Sequence, residues 1–160
     1  SPLIIVVSEG MIQTIHYINP QFEKVLGYTN NDIPSMQVWW QKGYPDETYR
    51  NKIQAEWNHR IITAIKNKSK IEPMETVVIC KDGSKKDIQW GFSSLGERNI
   101  VYGLDLTKIK EKEKQIRELN ENLEEKVIER TAQLEAANEE LDCLLEHLEK
   151  RHAQLLPESA

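Results

Sequence analysis

Read for alternation and period, the chain falls into two unlike parts. From Thr107 to Leu156 apolar residues recur by threes and fours: Ile109, Ile116, Leu119, Leu123, Val127, Leu134, Ala137, Leu141, Leu144, Leu148 and Leu155. That is the spacing of one helix face. No glycine or proline falls between Gly103 and Pro157, so nothing in the backbone chemistry interrupts the helix. At ~1.5 Å per residue it is about 75 Å long, more than a domain of this size covers with its own surface. Such a helix needs a partner.

Ahead of it the period keeps changing. Leu3 to Val7 is a continuous apolar run followed by Ser8-Glu9-Gly10, and Ile12 to Ile18 alternates, which predicts two strands joined by a turn. Asn19-Pro20 then signals a helix start, with Phe22, Val25 and Leu26 on one face and Gly27 suited to a left-handed end. Turn-rich pieces follow, with Ser35 as a cap for a helical turn carrying Val38, Trp39 and Trp40 and Gly43 closing it. Asp46 caps the next helix, where Tyr49, Ile53, Trp57, Ile61 and Ile65 recur every four residues as a buried stripe and His59 lies off it. Met74 to Cys80 is again strand-like, Asp82-Gly83 is a two-residue hairpin signal, and Lys86 to Ser93 alternates through Ile88, Trp90 and Phe92. A turn over Gly96 to Asn99 precedes a last strand with Ile100, Tyr102 and Leu104 on one face. Two strands, several helices and three strands with short connections predict an α+β domain: a five-stranded antiparallel sheet with helices on one face.

Composition narrows the function classes. Of 160 residues 39% are apolar and 29% charged, the balance of a soluble protein with one domain and an appendage. Residues 107–160 hold 9 Lys/Arg and 14 Asp/Glu, so the net charge of −5 lies there and the preceding part is neutral. This argues against nucleic acid or an anionic membrane as partner. The lysines at the helix start interleave with Glu111, Glu113 and Glu118, as on a solvated face. Cys80 and Cys143 lack the spacing of a metal site or a disulfide framework and are expected to be reduced thiols. The five apolar residues Leu3 to Val7 are too few for a membrane span or signal core, so a cytoplasmic location without membrane insertion is expected. With Ser at its start and Ala160 at its end, the chain is expected to be a piece of something longer.

The residues also carry a resemblance. Asn19-Pro20-Gln21-Phe22 followed by Leu26-Gly27-Tyr28 resembles the N-P-x-F…L-G-Y signature of PAS sensor domains, Lys81-Asp82-Gly83-Ser84 their K-D-G-S hairpin, and Asp105-Leu106-Thr107 the D-I-T that ends the PAS fold. Leu123 to Val127, Glu129-Arg130-Thr131 and Leu134 to Leu141 are similar to the signalling helix between sensor domains and output modules, most familiar in bacterial sensor histidine kinases. The resemblance implies a PAS sensor domain over residues 1–106, a signalling helix or coiled coil over 107–156 and a tail over 157–160. It further implies a homodimer through that helix and an output domain outside this chain. A PAS cavity holds a small-molecule ligand in many members; Phe22, Trp39, Trp40, Tyr44, Trp57, Trp90 and Tyr102 are the pocket candidates here, with a packed core as the plainer alternative. Cofactor identity stays open. A flavin photosensor needs a reactive Cys beside an Asn on the long helix 46–66, which has no Cys, and haem needs an inward ligand where only His59 is present, so both are disfavoured.

Position by position, the long helix is not uniform. From Val127 one heptad frame places Val127, Leu134, Leu141, Leu148 and Leu155 at the first core position and Arg130, Ala137, Leu144 and Arg151 at the second. Earlier, Ile109, Ile116 and Leu123 share a position, with Lys112 and Leu119 at the other. The frames meet at Leu119, Leu123 and Val127, a stutter that locally unwinds a supercoil. Leucine-rich seams favour dimers, and a polar residue at a core position restricts register; Arg130 either takes that role or is simply tolerated in a loose seam.

His152 to Pro157 has the H-x-x-x-x-P spacing of a phosphoacceptor box, but Ala153 stands where such boxes place an acid. No nucleotide-binding or nucleophilic motif accompanies it, so the chain is not expected to be an enzyme. The function expected is sensory input and dimeric transmission in a two-component sensor histidine kinase, with Asp105 and Thr107 as the signal junction. The alternatives are control of a cyclic-dinucleotide cyclase, a phosphatase or a transcription factor, or purely structural dimerisation.

Overall fold

The computed structural model describes residues 2–10 and 13–156. Five strands, β1 (Ile4–Glu9), β2 (Thr14–Ile18), β3 (Met74–Ile79), β4 (Lys85–Leu95) and β5 (Arg98–Asp105), form one antiparallel sheet in the order β2-β1-β5-β4-β3. The helices α1 (Pro20–Leu26), α2 (Met36–Gly43) and α3 (Glu47–Asn67) fall between β2 and β3, and α4 (Thr107–Leu155) follows β5. The chain divides into two compact units, Ser1–Glu111 and Lys112–Ala160.

Local chemistry sets the helix starts. Asn19, Ser35 and Asp46 are extended, and each accepts the amide three residues on, from Phe22, Val38 and Tyr49. Asn19 does more than cap. Its Oδ1 also accepts the Ile5 amide at 2.9 Å and its Nδ2 donates to the Leu3 carbonyl at 2.7 Å, so this buried amide pins α1 to β1. Gly27 ends α1 at φ +79°, a conformation that favours glycine.

One face of the sheet is covered. Ile4 and Val6 of β1, Val78 of β3, Ile88 and Trp90 of β4 and Val101 of β5 share a core with Phe22, Leu26, Met36, Trp39, Ile53 and Trp57 from the helices. That this is a five-stranded antiparallel sheet with helices on one face, followed by a long helix, agrees with the sequence reading.

Several details differ. Ile65 is 71% exposed, and Ala64 takes the buried place instead. A step of four overshoots the helical turn by about 40°, so the stripe drifts roughly 120° between Ile53 and Ile65. On β5 the inward residues are Val101 and Gly103; Ile100, Tyr102 and Leu104 lie on the opposite face. Gly43 does close α2 as its last residue, and a Cβ there would stand 3.0 Å from the Trp39 ring. In the β3–β4 turn the Gly83 amide donates to the Cys80 carbonyl, so Lys81 and Asp82 are central and Gly83 follows at φ +85°. The β4–β5 turn is tighter than expected, since Leu95 already pairs with Arg98. β1 continues through Ser8 and Glu9, and Ser8 is buried, because this end of the strand still pairs with β5. The start of the second strand at Ile12 lies outside the described residues.

α4 is 49 residues long and has no buried residue. Its apolar seam is open, with exposures from 53% at Ile109 to 80% at Leu155. Among the described residues no helix is long and apolar enough to cross a membrane.

Candidate functional site

Two constellations hold the sequence candidates. The first is the aromatic core. Trp39 is its hub, edge-on to Phe22 at 5.3 Å, Tyr28 at 6.0 Å, Tyr44 at 6.1 Å and Trp90 at 6.0 Å. Its polar atoms satisfy one another. Trp90 Nε1 donates to Tyr44 Oη at 3.1 Å and to Thr76 Oγ1 at 3.0 Å, and the two hydroxyls lie 2.7 Å apart. Burial pushes the Tyr44 hydroxyl well above the ordinary tyrosine range, against the opposing pull of Thr76 and Trp90. It therefore stays protonated. The space left among Trp39, Trp40, Tyr44, Trp57 and Trp90 is about 20 Å³, room for a single water rather than for a metabolite.

Phe22 is fully buried against Trp39, and Tyr102 is not part of this cluster. Tyr102 is 40% exposed on the other face of the sheet, where its ring covers Gly91 and leaves no room for a Cβ there. Placing it with the pocket aromatics is corrected on that ground. His59 is exposed on α3, Cys80 is buried in the β3–β4 turn with its thiol toward the Val25 carbonyl, and Cys143 is exposed on α4. His152 stands exposed in the last turn of α4.

The second constellation is the junction between sheet and α4. The Asp105 carboxylate accepts both the amide and the hydroxyl of Thr107, so Asp105 supplies the capping oxygen at the start of α4. Thr107 Oγ1 in turn accepts the Asp87 amide of β4 at 3.0 Å, while the Leu106 amide donates to the Asp87 carbonyl at 2.8 Å. A hydroxyl thus stands where the next carbonyl of a longer β5 would have stood. One turn on, Lys110 Nζ reaches Glu75 of β3 at 2.6 Å and Asp87 at 3.4 Å. The bond to Glu75 raises the ammonium pKa, with Asp87 adding to it, so the contact remains ionic. The first turn of α4 is therefore bonded to β3, β4 and β5 at once. Asp105 and Thr107 were legible as a motif; Asp87, Glu75 and Lys110 were not, since only the sheet register brings them together.

This order of strands and helices, with a long helix issuing directly from the fifth strand, is the PAS fold. Solved structures show the same likeness. An RNA-binding light-oxygen-voltage receptor matches with a TM-score of 0.53 at 22% identity, over 76% of this chain and 34% of that one, so the chain spans about a third of that receptor's length. A sensory box histidine kinase/response regulator from Burkholderia thailandensis E264 matches with a TM-score of 0.53 at 19% identity, over 76% of this chain and 90% of that one. The N-terminal domain of a diguanylate cyclase with a PAS/PAC sensor from Marinobacter aquaeolei matches at 0.52 and 16% identity, over 68% and 98%. No family model matches the sequence, and no curated protein does.

Proposed function

We propose that the chain is the sensory input and dimeric signal-transmission part of a cytoplasmic two-component sensor histidine kinase. It carries no catalytic centre of its own. The observation that bears the weight is α4: 49 residues, none buried, with a heptad seam left open along its length. A helix this long gains its stability from packing a face, and the leucine-rich seam suits a second copy in parallel register. Residues 1–106 then act as the sensor and 107–156 as the coiled coil.

Transmission follows from the junction. Because Asp105, Thr107 and Lys110 bond the first turn of α4 to three strands, a shift of the sheet carries the helix start with it. Further along, the stutter at Leu119, Leu123 and Val127 offers the pair two packings of similar energy, so rotation or register responds to a small input. Arg130 limits the registers available. The sensory box kinase neighbour carries the same fold and supports the kinase reading. The cyclase neighbour supports a second reading, in which the same rod controls a diguanylate cyclase.

The test of the dimer uses the chain with Cys143→Ser as background. Leu134→Cys should form a disulfide between copies under mild oxidation, whereas Glu139→Cys, on the outer side of the frame, should not. A monomer in sedimentation, or equal crosslinking at both positions, contradicts the rod. In the full-length protein, deleting four residues around Leu123 relocks the heptads and should freeze the output in one state. Regulation that survives the deletion contradicts the stutter as the switch.

A further inference from the structure

Where two helices pair in parallel, the residues that flank the seam meet across it: the last position of one heptad faces the fifth position of the following heptad on the other copy. In the frame that begins at Val127 those pairs are Lys126 with Thr131, Gln133 with Asn138, Glu140 with Leu145, and His147 with His152. None joins an acid to a base, the combination that ordinarily sets partner and register at these positions. The last pair is two imidazoles. Half of the chain's four histidines therefore fall on one such pair, and both are exposed on α4.

Within one copy the two cannot act together. Five residues turn a helix through about 500°, so His147 and His152 point roughly 140° apart around its axis. Among the described residues, no three His, Cys, Asp or Glu side chains of the single chain gather where they could hold a metal ion. Pairing changes this. His147 of each copy then faces the partner's His152, so the dimer carries two histidine pairs that a monomer lacks. Neutral imidazole is a good ligand for zinc, copper and nickel. Arg151, at the core position beside His152, opposes a cation there, and Glu149, one turn before His152, offsets it.

We propose that the paired helices bind a divalent transition-metal ion, zinc in the first instance, between His147 of one copy and the partner's His152, with water completing the shell. Two ions per dimer tie the helices together around the Leu148 layer. They do there what acid–base pairs do in other coiled coils, so metal supply sets how firmly the end of α4 is held in parallel register. This rests on the parallel dimer proposed above.

The test uses the whole chain with Cys143→Ser, because Cys143 lies one turn before His147 and its thiol competes for the ion. Sedimentation equilibrium in zinc chloride should show the dimer tightened at least about tenfold relative to chelator, as expected when an ion binds the pair and not the single chain. His147→Gln and His152→Gln should each remove that response while leaving the metal-free dimer within about twofold of its parent. Mixing the two variants should restore part of it, since a mixed dimer keeps one intact histidine pair and neither variant alone keeps any. His16 and His59 remain in every variant, so a response due to zinc bound at either of them would survive both substitutions. A chain that crosslinks through Leu134→Cys yet associates equally with and without zinc overturns the site and leaves the rod standing. A chain that is monomeric in both conditions overturns the two together. A zinc response that persists in either variant, or mixing that restores nothing, overturns the pairing of His147 with the partner's His152.

Discussion

Gly103 stands opposite Trp90 across β4 and β5, and a Cβ added to it would lie 2.7 Å from the indole Cζ3. The ring cannot simply swing away. Its Nε1 is held by Tyr44 and Thr76 and its edge meets Trp39, so the glycine is required by close packing rather than by backbone conformation. Gly103→Ala is expected to cost about 1–3 kcal/mol, the usual range for overpacking a dense core. Urea unfolding should show the midpoint fall with the slope unchanged, and near-ultraviolet circular dichroism should report a displaced tryptophan. A change below about 0.5 kcal/mol would show that the aromatic cluster yields.

Just beyond the same end of β5, the Thr107 hydroxyl is both donor to Asp105 and acceptor from Asp87. Thr107→Val keeps the shape and removes both bonds, stranding an amide of β4. The expected loss is about 1–2 kcal/mol. Thr107→Ser keeps the hydroxyl and should stay within about 0.5 kcal/mol of the native chain. Equal stability of the two variants in denaturant unfolding would remove Thr107 from the junction.

What the sequence disclosed was local, and what it hid was set by pairing. Asn19, Ser35 and Asp46 were readable as caps because a cap depends on the next three residues alone. The second task of Asn19, fixing Ile5 and Leu3, depends on a strand fourteen to sixteen residues away and left no pattern. Tyr102 went to the wrong face because Ile100, Tyr102 and Leu104 are the more apolar set, while the core side of β5 is Val101 and a glycine that makes room for Trp90. Ser8 had the look of a turn residue, and only its pairing with Asn99 shows it to be an inward strand position. The α4 helix was legible along its length, since apolar residues at helical spacing with no glycine or proline among them need no tertiary information.

Asp32 holds the loop before α2 to the β3–β4 turn. Its carboxylate accepts the Thr29 amide at 2.8 Å and the Thr29 hydroxyl at 3.0 Å, and meets Lys81 Nζ at 2.9 Å. The Thr29 amide first, and then Lys81, hold its pKa well below the usual carboxylate range. A depressed folded pKa means that the contribution to stability is complete above the unfolded value of about 3.9 and is lost as pH falls through the folded one. The stability difference between the native chain and Asp32→Asn should therefore be constant from neutral pH down to about 5 and close only below about 4. Because the site is solvent-exposed, the difference should also shrink in high salt. A gap that closes near neutral pH would assign it to another group.

Arg130 is the residue at which the proposed rod gives up stability. In the frame that begins at Val127 it takes the second core position, where two copies would bring two guanidinium groups together. Each must then reach outward along its aliphatic stem, toward acids such as Glu125 or Glu129. Arg130→Leu replaces that arrangement with two apolar side chains, each worth about 1.5–3 kcal/mol when fully buried. Sedimentation of the whole chain should show the dimer tightened by at least about tenfold. The gain has a consequence for signalling. With Arg151 the one polar residue left at a core position of that frame, the seam around Leu134 tolerates more than one register, so crosslinking through Leu134→Cys should weaken at that position and spread to its neighbours even as the dimer strengthens. Tighter association with unchanged crosslinking would mean that the stutter alone sets register. Unchanged association would mean that the helices do not meet at Arg130 at all.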